Sequence, residues 1–125
     1  MAQNNKEYTI VSFHSPIYCA GYFGPTDDRK ETSELFKGLR ATFDKYNVTA
    51  HFAGHTHIYE RSWPIRDGKR RDSGITYFVQ GGDINGNFPE WWTAVADDRT
   101  RYAQPTYTMV WCKDDRFETR FSGRR

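Results

Sequence analysis

The sequence predicts an α/β fold in which one βαβ unit is followed by antiparallel strands. Two apolar segments typical of strands, Tyr8–Phe13 and Val48–Ala53, flank a segment with helical periodicity, Glu31–Tyr46. A strand, a helix and a strand in this order favour two parallel, neighbouring strands joined by a right-handed crossover. The segments that follow combine β-branched and aromatic residues with turn residues, which is typical of antiparallel pairing.

Each element has its own sequence signal. The helix is predicted from an apolar stripe at three- and four-residue spacings, and Asn47 is expected to end it. Downstream, residues 59–65 and 74–80 are predicted as antiparallel strands around a turn at Arg66–Lys69, and residues 107–111 and 117–121 as a last hairpin. Residues 83–105 contain many Gly, Asn, Pro and Asp residues and are expected to be irregular. Because the segment is long for a loop, a helical part or a cover over a groove is the alternative.

Length and composition narrow the possible classes. At 125 residues the chain is expected to form one domain spanning 1–125, and its 17% aromatic content is too high for a disordered protein. A net charge of +2 with interleaved acids and bases argues against a nucleic-acid partner. No apolar run approaches the roughly 20 residues of a membrane span, so we expect no membrane partner. Cys19 and Cys112 are expected to be free thiols.

Histidines follow both strands of the predicted βαβ unit. His14 comes directly after the first strand, and Gly54-His55-Thr56-His57 comes directly after the second. Residues two apart in extended backbone point to the same side, and the carboxyl ends of parallel strands meet at one edge of a sheet. The three side chains are therefore expected to converge, and neutral imidazole is the commonest protein metal ligand. His51 lies inside the second strand and is interpreted as structural.

These two segments resemble the last two metal-binding motifs of the calcineurin-like metallophosphoesterases. The matching residues read F-H-S-P-x-Y from Phe13 and G-H-x-H-x-Y-E-R from Gly54, and the purple acid phosphatase branch is the most similar. The resemblance implies the C-terminal half of a four-layer αββα sandwich. It also implies hydrolysis of phosphate esters by a metal-activated hydroxide at a site with two metals, Fe with Zn, Mn or Fe. A secreted or periplasmic location would follow as well, although residues 1–6 show no signal peptide.

By this resemblance, His14 and His55 would bind one metal and His57 the other. Residues expected to support these ligands or to line the substrate rim are Tyr59, Glu60, Arg61, Tyr18 and Tyr22.

The chain also departs from the family pattern. It contains neither G-D-x-x-Y nor G-N-H-E, and Gly82-Asp83 is in the wrong order to replace them. Three interpretations therefore stay open: part of a phosphoesterase completed by an N-terminal half, a module that binds a single metal such as Zn without turnover, or a degenerate structural or interaction domain. The first predicts a phosphate-ester substrate. A partial sandwich also predicts association with the missing half or self-association, since a sheet edge would be uncovered.

Overall fold

A computed structural model gives the architecture of most of the chain. It describes five ranges: 6–19, 30–55, 59–81, 98–102 and 106–123. Nine strands and one helix lie in these ranges, in the order β1 (Ile10–Ser12), α1 (Lys30–Lys45), β2 (Ala50–Ala53), β3 (Tyr59–Ser62), β4 (Ile65–Arg66), β5 (Lys69–Arg70), β6 (Thr76–Gln80), β7 (Asp98–Tyr102), β8 (Thr106–Lys113) and β9 (Arg116–Gly123). The predicted α/β class is confirmed.

Five strands form the main sheet, in the order β1-β2-β6-β3-β7. β1 pairs parallel with β2, and β2 pairs parallel with β6, which aligns Ser12 with Phe52 and Phe52 with Phe78. β3 then pairs antiparallel with both β6 and β7. The sheet is therefore mixed. The βαβ unit forms the parallel pair β1–β2, as the order of segments predicts, and β6 extends the parallel part on the other side of β2.

Helix α1 ends as expected at Asn47. The residue has a positive φ of 48°, and the N–H of Asn47 donates to the carbonyl of Asp44 at 3.4 Å while the N–H of Val48 donates to that of Phe43 at 3.1 Å. This pair of bonds is a Schellman motif, and Val48 and Phe43 provide its apolar contact in the core. Because the motif turns the chain sharply, β2 can begin three residues after Asn47 and return along β1.

The helix covers one face of the main sheet. Its side chains Phe36 and Phe43 are buried together with Val48, Ile75 and Tyr77 from the sheet side. Phe13, at the end of β1, packs edge-on against Phe43 with ring centroids 6.4 Å apart. This cluster is the larger apolar core among the described residues.

The hairpin β8–β9 covers part of the opposite face. Phe121 stacks on Tyr59 with centroids 4.0 Å apart, and Phe117 packs against the same small core around Phe78. Both strands of this hairpin extend beyond the predicted limits, and the turn falls at Asp114–Asp115 as the sequence indicated. Its outward face carries partly exposed apolar side chains, with Tyr107 57% exposed and Trp111 36% exposed.

The short hairpin β4–β5 confirms the predicted turn at Arg66–Lys69. Asp67 and Gly68 both have positive φ, 51° and 70°, which is the geometry of a type I′ turn. The expectation that residues 83–105 are irregular is wrong for Asp98–Tyr102, because these residues form β7 and pair with β3. The rest of that segment, 83–97 and 103–105, lies outside the described residues. The sequence of β7, Asp-Arg-Thr-Arg-Tyr, contains no apolar run that would predict a strand. Its conformation is fixed by pairing with a neighbouring strand.

Two further expectations concern cysteines and membranes. Cys19 and Cys112 are both free thiols, as predicted. Within the described ranges, no helix has the length and apolar character needed to cross a membrane. Association with an N-terminal half or with a second copy stays a prediction.

Candidate metal centre

Hydrogen bonds at the ends of β1 and β2 hold the two histidine segments side by side. The N–H of Phe13 donates to the carbonyl of Phe52 at 3.3 Å, one step beyond the paired strands. The N–H of Gly54 then donates to the carbonyl of His14 at 3.0 Å. The parallel pairing therefore continues past both strands, and it places the backbone of His14 against the residue that precedes His55.

The side chains of His14 and His55 are in direct contact. Nε2 of His14 lies 3.0 Å from Nδ1 of His55, and the two rings meet nearly at right angles with centroids 4.9 Å apart. One ring donates an N–H and the other accepts it, according to the tautomers. Both side chains are accessible to solvent, His14 more than His55. The structure thus brings together two of the three histidines that the sequence singled out.

The separation of these nitrogens is compatible with a shared metal ion. Zinc–nitrogen bonds to imidazole are about 2.0–2.1 Å long, so two nitrogens 3.0 Å apart are close enough to ligate one ion. The nitrogens that face each other would be the ligands, which leaves Nδ1 of His14 and Nε2 of His55 for other partners. A neutral imidazole at each position would provide the lone pair that a metal requires.

The backbone at His55 adopts a conformation that few side chains tolerate. Its φ is 70°, in the left-handed region, where histidine is found more often than most residues with a Cβ. The left-handed residue is His55 itself and not the preceding Gly54. A Cβ at Gly54 would meet His14 Nδ1 at 3.8 Å, an ordinary contact. Uncommon backbone conformations of this kind cluster at functional sites and cost about 1–3 kcal/mol.

The remaining predicted ligand lies outside the described residues. His57 is in the range 56–58, and Tyr22 of the predicted rim is in the range 20–29, neither of which is described. Within the described part of the chain, no group of three or more His, Cys, Asp or Glu side chains could hold a metal ion. The role of His57 therefore stays a prediction, and the structure offers a pair of imidazoles rather than a full ligand set.

The predicted supporting residues occupy different surroundings. Tyr59 and Glu60 are buried, at 1% and 3% exposure, and Tyr59 stacks on the hairpin through Phe121. Arg61 lies over the ring of Phe78, with its guanidinium carbon 5.6 Å from the centroid. Tyr18 packs against Tyr77 on the helix side, with ring centroids 4.7 Å apart. Their part in metal or substrate binding stays a prediction.

His51 is a core residue, as its position within β2 suggested. It is 1% exposed, and its ring packs against Phe13, Phe43 and Tyr77 at centroid distances of 4.4, 5.6 and 5.7 Å. Burial lowers the pKa of His51 to about 4, because the apolar surroundings disfavour the charged form. This histidine is therefore neutral at physiological pH and belongs to the helix-side core.

One residue beside the histidine pair was missed by sequence reasoning. Gln80 ends β6 and lines, together with Ser12, His14, Phe52 and Gly54, a groove of about 450 Å³. The hydroxyl of Thr108 donates to Oε1 of Gln80 at 2.6 Å, which fixes the amide. The available signal was a polar residue closing an apolar strand before Gly81-Gly82.

Comparisons with known proteins point to acid phosphatases at a coarse level. Acid phosphatase type 7 of Mus musculus is 35% identical over 68 residues, which cover 48% of this chain and 15% of that protein. An acid phosphatase of Aspergillus ficuum is 29% identical over 85 residues, which cover 64% of this chain and 13% of that protein. No model of a known protein family matches the chain. The chain therefore corresponds to a small part of each relative, and the likeness is to acid phosphatases in general.

Proposed function

We propose that this chain provides metal ligands to a phosphoesterase site of the acid phosphatase type, with phosphate esters as substrates. The observation that supports the proposal most directly is the 3.0 Å contact between the ring nitrogens of His14 and His55 at the carboxyl ends of two parallel strands. His57 would be the third ligand. The partial likeness to acid phosphatases supports the same reaction class.

The contribution of the chain's own residues is to orient these ligands before a metal arrives. The bond from the Gly54 N–H to the His14 carbonyl fixes the two loops, and the left-handed backbone at His55 turns its ring towards His14. A bound transition metal would lower the pKa of a water molecule and neutralise charge on phosphate oxygens. The groove lined by Ser12, Phe52 and Gln80 lies next to His14, where a substrate group would find both an amide and an aromatic face.

A second candidate function is a module that binds a single metal without turnover. It is favoured by the composition of the site, since no Asp or Glu in the described ranges completes a ligand group with the two histidines. Hydrolysis at a two-metal site requires carboxylates that hold both ions and a second cation that stabilises the transition state. Three histidines would be sufficient for one zinc ion.

Calorimetric zinc titration tests the metal site that both candidates share. The informative variants are His14→Ala and His55→Gly; glycine tolerates the left-handed backbone at position 55, so this change removes the ring without adding strain. His51→Leu is the matched control, because it removes a histidine that is buried in the helix-side core. We expect both site variants to lose at least tenfold in zinc affinity and the control to retain it. Equal affinities in all four proteins would refute the site.

Turnover of p-nitrophenyl phosphate separates the two candidates. The chain loaded with zinc, or with iron and zinc, is assayed beside the His55→Gly variant at the same protein concentration. Turnover that disappears in the variant would support the phosphoesterase. Zinc binding that depends on His14 and His55 but gives no turnover would favour the single-metal module for the chain alone.

A further inference from the structure

A row of three side chains crosses the parallel part of the main sheet, two residues before His14. The pairing register aligns Ser12 of β1 with Phe52 of β2, and Phe52 with Phe78 of β6. Partners in a parallel register point to the same face of a sheet, here the face that carries the small core around Phe78 and the hairpin β8–β9. The row therefore consists of two aromatic rings and one small side chain.

The two rings of this row are stacked. The rings of Phe52 and Phe78 are nearly parallel, with an interplanar angle of 7° and centroids 4.5 Å apart. This separation is close to the distance of about 4.8 Å between paired strands, so each ring stands above its own strand. A third ring above β1 would continue the stack at the same spacing. The residue at that position is Ser12, whose side chain is too small to fill it.

The third position of the row is open to solvent. Ser12 is exposed, and Ile10, which lies on the same face of β1, is 42% exposed. Phe78 covers one side of the Phe52 ring, and the other side faces β1. Ser12 and Phe52 both line the groove of about 450 Å³ beside His14, a volume within the usual range for small-molecule sites. We call the space above Ser12, next to the Phe52 ring, the stacking slot.

The stacking slot lies next to the histidine pair. His14 lines the same groove and follows Ser12 by two positions, so the two side chains leave the chain on the same side, about 6–7 Å apart along it. In an aryl phosphate a single bridging oxygen separates the ring from phosphorus. A ring in the slot would therefore place its phosphate group beside His14. The described residues that line the groove include no Lys, Arg, Asp or Glu, which favours a neutral ring over a second charged group.

We infer that the preferred substrates are phosphate monoesters of aromatic alcohols. The aromatic ring stacks on Phe52 above Ser12, and the phosphate group lies at His14 and His55. Parallel stacking of aromatic rings contributes affinity beyond the burial of apolar area, so a flat ring is favoured over an alkyl chain of the same size. This inference rests on the proposed function, because the slot can select the alcohol only if the histidine pair holds the phosphate.

The test compares two phosphate-ester analogues that lack the hydrolysable ester bond, phenylphosphonate and methylphosphonate. Binding of each to the zinc-loaded chain is measured by calorimetry, and the result is the ratio of the two dissociation constants. The informative variant is Ser12→Phe, which places a ring of the protein itself in the stacking slot. The matched control is Ser12→Ala, which leaves the slot open. Because the ratio is taken within each protein, a change at the metal affects both phosphonates alike.

We expect the parent and Ser12→Ala to bind phenylphosphonate roughly tenfold more tightly than methylphosphonate, from stacking and apolar burial together. Ser12→Phe should bind the two phosphonates about equally, because its own ring excludes that of the ligand. Phe52→Leu should also lower the ratio, since it removes the stacking surface but keeps an apolar side chain. Circular dichroism and zinc titration of each variant confirm that it is folded and loaded.

The possible failures are distinguishable. Equal binding of both phosphonates by the zinc-loaded parent, or an unchanged ratio in Ser12→Phe, would overturn the preference for aromatic esters and leave the proposed function standing. If neither phosphonate binds to the zinc-loaded parent, the proposed function and this inference are both wrong.

Discussion

The buried histidine of β2 should make the fold sensitive to mild acid. Burial lowers the pKa of His51 from 6.5 to about 4 in the folded chain. Between these two pH values the unfolded chain binds a proton that the folded chain does not, so the free energy of unfolding falls as the pH is lowered. The contribution of the neutral His51 ring to the free energy of unfolding is fully present above pH 6.5 and is lost by about pH 4. The pKa difference corresponds to about 3 kcal/mol, a large fraction of the stability of a small domain.

The surroundings of His51 explain the size of this effect. The ring is enclosed by the side chains of Phe13, Phe43 and Tyr77, and Nε2 has no hydrogen-bond partner among the described residues. A proton added to the ring would place a charge in an apolar cluster with no counter-charge in contact. Such a charge is stabilised only by opening the structure, so protonation is coupled to unfolding.

Urea unfolding followed by circular dichroism, at a series of pH values from 4 to 7.5, measures this dependence. In His51→Leu, which keeps a side chain of similar volume, the loss of stability between pH 6.5 and 4 should be about 3 kcal/mol smaller than in the parent. Phe43→Leu is the control, since it changes the same cluster without removing a titratable group and should lower stability equally at every pH. If the curves of the parent and His51→Leu are parallel over this window, the assignment is wrong.

Two predictions concern backbone geometry, and thermal unfolding of the variants tests both. Replacing Asn47 by valine should lower the free energy of unfolding by about 1–2 kcal/mol, because φ at this position is 48°. Replacing it by glycine should leave the free energy of unfolding nearly unchanged. Equal effects of the two substitutions would argue against the left-handed cap. Gly74→Ala should destabilise the fold, because the new Cβ would lie 2.5 Å from the backbone nitrogen of Ile65. Gly38→Ala should stabilise it by about 1 kcal/mol, because Gly38 lies on α1 with open space around it. A change in the free energy of unfolding of the same sign for both variants would contradict the packing at Gly74.

The βαβ unit could be predicted from the sequence because its signals are local. Apolar runs, a helical stripe and Asn47 at the helix end each depend on a few neighbouring residues. Each of the two strands begins two residues later than predicted, at Ile10 instead of Tyr8 and at Ala50 instead of Val48. Pairing with a neighbour, and not composition alone, decides where a strand begins. β7 could not be predicted in this way, because its polar sequence becomes a strand only through its partner β3.

The histidine pair could be predicted because the rule that joins it is topological. Parallel neighbours end at the same edge, so residues that follow their carboxyl ends must meet. The orientation of the two imidazole rings could not be predicted from the sequence. It depends on the left-handed backbone at His55 and on the bond between the Gly54 N–H and the His14 carbonyl, both of which arise from long-range pairing. The third ligand, His57, stays a prediction.

Side chains alternate between the two faces of the sheet along β1 and β2, and this alternation links the core to the candidate metal centre. Phe13 points into the helix-side core, where its ring packs on His51 at 4.4 Å, and the next residue, His14, is consequently directed out of the core. In the same way, Ala53 is buried at the end of β2, and the chain leaves the sheet at Gly54 towards His55. The packing that orders Phe13 and Ala53 therefore fixes the starting points of both loops. Because the hydrogen bond from Gly54 to His14 then joins these loops, the two imidazoles lie against each other.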